Sequence, residues 1–142
     1  MESAILGLVL DSSVLIAAER LEMTAAQAIE NVQQTVGEAP VVLSAVTVAE
    51  IGHGIYRGKT PQVRQRRRAF LDDLKATVPI YPLTASTAEI VARVGGEQAA
   101  LGISLPLGDL MIGACALELG YAVGTRNLRD FSRIPGLQLV SL

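Results

Sequence analysis

At 142 residues the chain is long enough for one domain with a sizeable core and too short for two of ordinary size. Half of it is hydrophobic, 18% is charged and the net charge is −2, which excludes a disordered chain and a polycation. No apolar run approaches the ~18 residues of a membrane span, Met1-Glu2-Ser3 carry no basic leader region, and the single cysteine, Cys115, excludes an intrachain disulfide, so a cytoplasmic protein with no membrane partner is expected.

With no Trp and few aromatics, the core must be built from Leu, Val, Ile and Ala. The run Ile5–Leu10 suits a buried parallel strand. It ends at Asp11, and Ser12 or Ser13 can cap a helix beginning near Val14. Thr24–Val36 has helical spacing, and Gly37 and Pro40 end it. Val41-Val42-Leu43 is a second strand, with Ser44 as N-cap for a helix over Val46–Tyr56. Pro61 opens a helix that carries Phe70, Leu71 and Leu74 on one face and arginines around the other.

Val78–Tyr81 is a third strand, and Thr84 caps a helix reaching about Leu101. Pro106 suits the first turn of a helix to Leu119, which Gly120 terminates. Tyr121–Gly124 is a fourth strand and Gln138–Val140 a fifth. Strands alternating with helices predict an α/β sandwich, a short, mainly parallel sheet flanked by helices, in a single domain over residues 1–142.

Four carboxylates stand against apolar stretches: Asp11, Glu50, Asp109 and Asp130. Such placement is rare unless desolvation is compensated. Converging in one cleft they would repel one another, and a divalent cation would remove the conflict; oxygen-only donors suit Mg²⁺ or Mn²⁺. Asp11 and the segment after the fourth strand fall at strand carboxyl ends, where open α/β sheets bind ligands. Each residue also has an ordinary structural explanation: a helix cap for Asp109, a turn or cap for Asp11, a surface ion pair with Arg57 for Glu50, a turn before Pro135 for Asp130.

Of the twelve Lys and Arg residues, six lie between Arg57 and Arg68, which either track a phosphate backbone or form a solvated helix face with Asp72 and Asp73 as partners. Set apart from the four site carboxylates, the other ten acidic residues are outnumbered by the basic ones. His53, one turn from Glu50, and Cys115, in an apolar helix, are assigned no catalytic part.

In order along the chain, Leu10-Asp11-Ser12-Ser13-Val14-Leu15-Ile16, Ala49-Glu50-Ile51 with Gly54 and Arg57, Pro106-Leu107-Gly108-Asp109-Leu110-Met111-Ile112 with Ala114, and Gly124-Thr125-Arg126-Asn127-Leu128-Arg129-Asp130-Phe131 followed by Ile134-Pro135-Gly136-Leu137 resemble the four acidic blocks of the PIN-domain ribonucleases. Within that family the chain is similar to the VapC-type toxins of prokaryotic toxin–antitoxin pairs. It departs from the pattern in Ser12-Ser13, where Thr-Asn is frequent, in Gly108, where Ala is more usual, and in a longer helical stretch over 23–40.

The resemblance implies a three-layer PIN-like sandwich and endonucleolytic, Mg²⁺-dependent (or Mn²⁺-dependent) hydrolysis of RNA phosphodiester bonds. Asp11, Glu50, Asp109 and Asp130 would be the catalytic, metal-holding carboxylates, with Asn127 as the competitor to Asp130 in the last block. Ser13, Thr125, Arg126 and Asn127 would meet metal-bound water or the scissile phosphate. It further implies a homodimer and a cognate antitoxin whose C-terminal segment covers the cleft. An inactive PIN-like dimerising or RNA-binding module is the alternative, and DNA is a weaker choice of substrate. An aspartate-nucleophile phosphatase is disfavoured because Ser13 stands where such enzymes carry a second Asp.

Overall fold

Alternation along three short apolar strands explains the layering. In the computed structural model, which describes residues 4–142, Leu8 and Leu10 of β1 (Leu8–Leu10) face one hydrophobic cluster while Val9 faces another. The same period of two places Val41 and Leu43 of β2 (Val41–Ser44) against Val42, and Ala122 of β4 (Ala122–Thr125) against Val123. A sheet buried on both faces needs helices on both, and the chain supplies them. The leader-free start expected at Met1-Glu2-Ser3 lies outside the described residues.

One layer consists of α1 (Ser12–Arg20), α2 (Ala25–Val36), α3 (Ala45–Tyr56) and α4 (Pro61–Thr77), joined through Leu15, Ile29, Val32, Ile51, Ile55 and Leu74. The other contains α5 (Ala85–Ala100), α6 (Leu107–Leu119) and the single turn α7 (Leu128–Phe131), packed through Val94, Ile112, Ala116 and Phe131. With β3 (Ile80–Tyr81) and β5 (Leu139–Ser141) the sheet has the order β3-β2-β1-β4-β5, every pairing parallel. Each fully buried Leu, Ile or Phe contributes roughly 1.5–3 kcal/mol relative to exposure, and these clusters span both faces of the three central strands. No helix among the described residues is long and apolar enough to cross a membrane.

Most expected elements are present, with shifted ends. β1 begins at Leu8, where its N–H reaches Pro40 O at 2.8 Å; Leu6 is exposed, so the apolar run from Ile5 is not all strand. Val78 caps α4, which leaves β3 only Ile80 and Tyr81. Pro106 precedes α6 as its N-cap with ψ at 135°, in place of the first-turn position expected for it. Gly120 ends that helix in the left-handed region at φ 71°, as its position predicts. Thr84 and Ser44 cap α5 and α3 through their hydroxyls as expected. Neither Ser12 nor Ser13 caps α1: Asp11 is its N-cap, and the Ser13 hydroxyl is bound elsewhere.

Candidate active site

The strand order reverses direction between β1 and β4: from β1 the chain builds outward through β2 and β3, then returns to add β4 on β1's other side. The loops leaving these two strands must diverge, and the crevice between them is where a parallel sheet receives ligands. Asp11 leaves the end of β1, its N–H bonded to Gly124 O at 2.9 Å, and Thr125 ends β4 beside it.

Asp11 is only 5% exposed, and the two hydroxyls that approach it converge on one oxygen. Ser13 Oγ donates to Asp11 Oδ2 at 2.7 Å and Thr125 Oγ1 donates to the same atom at 3.0 Å. Each hydroxyl also accepts a main-chain N–H from the β4–α7 loop, Ser13 from Arg126 at 3.2 Å and Thr125 from Asn127 at 2.8 Å. A hydroxyl has one proton to give, and an ionised carboxylate can only accept, so both protons point at Asp11. The 3.5 Å approach of Ser13 Oγ to Thr125 Oγ1 is then a contact between two oxygens that each donate elsewhere. Among the described residues no hydrogen bond is made to Asp11 Oδ1, which leaves that oxygen for the crevice.

The other three carboxylates arrive from helices. Glu50 lies on α3, Asp109 in the first turn of α6 and Asp130 in α7. Asp109 is pushed up to about 6, first by burial and then by the negative charges of Asp11, Asp130 and Glu50 in turn. Glu50 is also raised, by burial and then by Asp11, with the Ser12 hydroxyl pulling the other way. Asp109 therefore lies within electrostatic reach of the other three acidic residues selected from sequence, and Glu50 within reach of Asp11. Among the described residues no group of three or more His, Cys, Asp and Glu side chains is gathered tightly enough to hold a metal ion by itself. The donors are all oxygen, and a hard cation that keeps several of its waters can be held by carboxylates that do not all touch it.

Asn127 Nδ2 donates to Asp130 Oδ2 at 2.8 Å, and a carboxylate acceptor requires that the amide present its NH₂ there. Asn127 thus orients Asp130. Gly108 is the residue whose role sequence reasoning missed: a Cβ at this position would sit 3.2 Å from Glu50 Oε2, so its absence lets the start of α6 close on α3. Its signal in the sequence is a glycine where Ala is more usual, immediately before Asp109. The Arg126 side chain lines a separate cavity on the other face of α1, with Val14, Ala17 and Leu142, and only its main chain joins the Asp11 network. Cys115 is buried and its thiol is pushed up to about 12, chiefly by burial, as befits a core residue. His53 is exposed on the wall of a cleft next to Glu50.

The basic cluster divides. Arg64 and Arg67 each donate to a main-chain carbonyl at 2.7 Å, Gly58 and Gly54 respectively. Arg66 pairs with the buried Glu19 at 2.8 Å. Arg68 meets Asp72 at 3.5 Å and lies 5.9 Å from the centre of the Tyr56 ring. Asp73, expected as another partner, instead accepts the Ala25 N–H at the start of α2. Arg57 and Lys59 have no ion-pair partner among the described residues, and neither does Glu50.

A parallel sheet in this order, with acidic residues at its switch point, defines a class of α/β protein built to concentrate negative charge at one crevice. The PIN domain family model matches residues 8–137, and the chain belongs to that family. It is 28% identical over 137 residues, 96% of this chain and 97% of the relative, to Ribonuclease VapC1 of Rickettsia felis. It is also 26% identical over 101 residues, 71% of this chain and 74% of the relative, to the tRNA(fMet)-specific endonuclease VapC of Shigella flexneri. Its fold is shared with VapBC2 from Rickettsia felis bound to a DNA fragment from the promoter, at a TM-score of 0.81, 19% identity, and coverage of 95% of this chain and 98% of that one.

Proposed function

We propose that the protein is the toxin of a type II toxin–antitoxin pair, a Mg²⁺- or Mn²⁺-dependent endoribonuclease acting at the Asp11–Glu50–Asp109–Asp130 crevice. The observation that carries this reading is the meeting of Asp11, fixed by Ser13 and Thr125 at the switch point of the sheet, with the acidic residues of α3, α6 and α7, in a chain of the PIN family; Asp109 is pushed up to about 6 by burial and by the other three. A fold does not stabilise itself by such crowding, and a cation between the carboxylates relieves it. The residues fit a hard divalent ion: every donor is oxygen, and Asp11 is held through Oδ2 with Oδ1 left open. Such an ion, when bound, supplies positive charge that acidifies water and offsets charge developing on the phosphate.

The chain's own residues supply orientation. Ser13 and Thr125 fix the rotamer of Asp11, and their hydroxyls are themselves fixed by the Arg126 and Asn127 N–H groups. Asn127 sets Asp130. Asp109, Glu50 and Asp130 close the crevice from three helices, leaving the open side for a strand. No side-chain nucleophile is needed, which agrees with a core position for Cys115. The names of the similar ribonucleases support RNA as substrate, and the tRNA-specific name of one makes tRNA the first class to include. The likeness to a VapBC complex supports an antitoxin partner, and a homodimer is proposed with it.

The test is cleavage of a mixed RNA pool enriched in tRNA by antitoxin-free protein in Mg²⁺, Mn²⁺ or EDTA, beside Asp11→Asn. Cutting that needs the metal and disappears in the variant is the expected result. Cutting that survives EDTA or the substitution would overturn the reading.

A further inference from the structure

The acidic crevice opens into a cleft of about 390 Å³ between α1, α3 and α4, and Glu50 belongs to both. Along α3 the cleft wall continues from Glu50 through His53 and Gly54 to Arg57, and Arg20 of α1 stands across it. Its apolar floor is closed: Leu15, Ile51 and Phe70 are all buried, and the solvent-facing side chains are mostly charged. The charge therefore changes sign along the groove, from the carboxylates to two exposed guanidinium groups.

Those two groups are uncommitted. Glu19, the acidic residue deeper in the same cleft, is already engaged by Arg66, and Arg67 donates to Gly54 O. Among the described residues neither Arg20 nor Arg57 makes an ion pair or a side-chain hydrogen bond. Cationic side chains that line a cleft without a countercharge are available to an anionic ligand, and guanidinium matches phosphate in a two-pronged geometry. Arg57 follows Glu50 by seven residues, a helical rise of roughly 10 Å. That offset sets Arg57 along the groove from the carboxylates, where a phosphate of a strand drawn past them can lie.

We infer that Arg20 and Arg57 form a phosphate-binding subsite for the RNA segment that flanks the cleavage point. The inference rests on the nuclease reading above, and it separates two working arginines from the rest of the basic cluster. The subsite draws the strand in and sets its register, so its loss should weaken binding and leave the chemical step intact.

The experiment compares wild type, Arg20→Ala/Arg57→Ala, each single alanine variant, Arg57→Lys and a control matched in charge to the singles on α5, Arg93→Ala, after melting curves confirm each is folded. On single-stranded RNA in Mg²⁺ the double variant should raise KM about tenfold with kcat within twofold. The slope of log(kcat/KM) against log salt should become shallower by about 0.7 for each lost contact. Arg57→Lys should keep the wild-type slope and lose part of the affinity, and Arg93→Ala should match wild type. Unchanged KM and slope in the double variant would overturn the subsite. So would unchanged RNA binding accompanied by weaker capture of the cognate antitoxin, which would assign the groove to a polypeptide. Anisotropy with uncleaved RNA on an Asp109→Asn background measures the same affinity difference without turnover. If wild type fails to cut RNA, the nuclease reading falls, while this binding measurement still decides the subsite.

Discussion

Helix α6 carries a carboxylate at each end, and the two live in opposite circumstances. Asp109, in its first turn, is crowded by Asp11, Asp130 and Glu50 and is pushed up to about 6. Glu118, in its last turn, accepts the Thr87 hydroxyl at 2.6 Å and the Tyr81 hydroxyl at 3.1 Å, and is held below the usual carboxylate range, chiefly by Thr87 and then Ser86. The helix dipole would favour the reverse, an anion at the start and none at the end. Neighbours outweigh it at both ends. Where donors surround a carboxylate it braces β3, α5 and α6; where other anions surround it, the fold accepts a cost that a proton or a bound cation can relieve.

The largest effect that could break this contrast is on cleavage. Asp109→Asn removes one anion from the crowd and should reduce metal-dependent cleavage by more than about 100-fold, since loss of mere supporting residues around a metal already costs about 10–100-fold. The same substitution should raise the Tm in EDTA by about 3 °C, because the amide carries no charge into the crowd. Activity lost together with stability would mean that Asp109 is a structural cap after all. At the other end, Thr87→Val takes a donor from Glu118 and leaves the crevice untouched. It should lower Tm by about 3 °C with cleavage per folded molecule unchanged, read by scanning calorimetry beside the RNA assay.

How much of this was legible beforehand follows the same division. Asp11, Glu50, Asp109 and Asp130 could be picked out because charge beside apolar runs is a one-dimensional signal, and the strand alternation that buries Leu8 and Leu10 opposite Val9 is another. Contacts between distant segments left no such trace. The Ser13–Asp11–Thr125 network joins residues more than a hundred positions apart, so Ser13 read as a helix cap or a partner of metal-bound water, and its link between two strand ends was not legible. The arginines from Arg57 to Arg68 look alike in sequence, and only the Arg68–Asp72 pair within α4 was legible there; Glu19, Gly54 and Gly58, brought in by α1, α3 and the following turn, sort the others into paired and free. α7 is one turn long, too short to show a period, so it was not among the expected elements although its Asp130 stood out by charge.

A subtler effect lies in the pH dependence of the metal-free fold. Asp109 titrates near 6 when folded and near its ordinary 3.8 when unfolded, so the folded state binds the extra proton. Stability on this account is greatest below the unfolded value and falls as pH rises through 6. For a half-exposed group the loss should be about 1 kcal/mol after screening by water. Glu118 has the opposite sign: its contribution is present above its unfolded value of 4.5 and is lost as pH falls below that. Urea unfolding in EDTA should therefore show stability declining from pH 5 to pH 7, and Mg²⁺ should abolish the decline. A flat profile without metal would mean that Asp109 is not crowded in solution.

The smallest effect belongs to Gly108→Ala. In the first turn of α6 alanine gains up to roughly 0.5–1 kcal/mol over glycine from backbone entropy alone. Its Cβ, however, would stand 3.2 Å from Glu50 Oε2, so the Glu50 carboxylate must shift by a few tenths of an ångström. Glu50 can move, because it is exposed and has no ion-pair partner among the described residues, so the fold should keep the gain: Tm should rise by 1–2 °C, about what half a kcal/mol yields at this size. Cleavage should fall only about threefold, because a hard cation that keeps several waters tolerates a displaced outer carboxylate better than a missing one. The drop should be recovered by raising Mg²⁺, since the substitution moves a ligand without removing it. A fall that Mg²⁺ cannot rescue would place Glu50 in direct contact with the reacting groups and would make Gly108 a determinant of the chemical step.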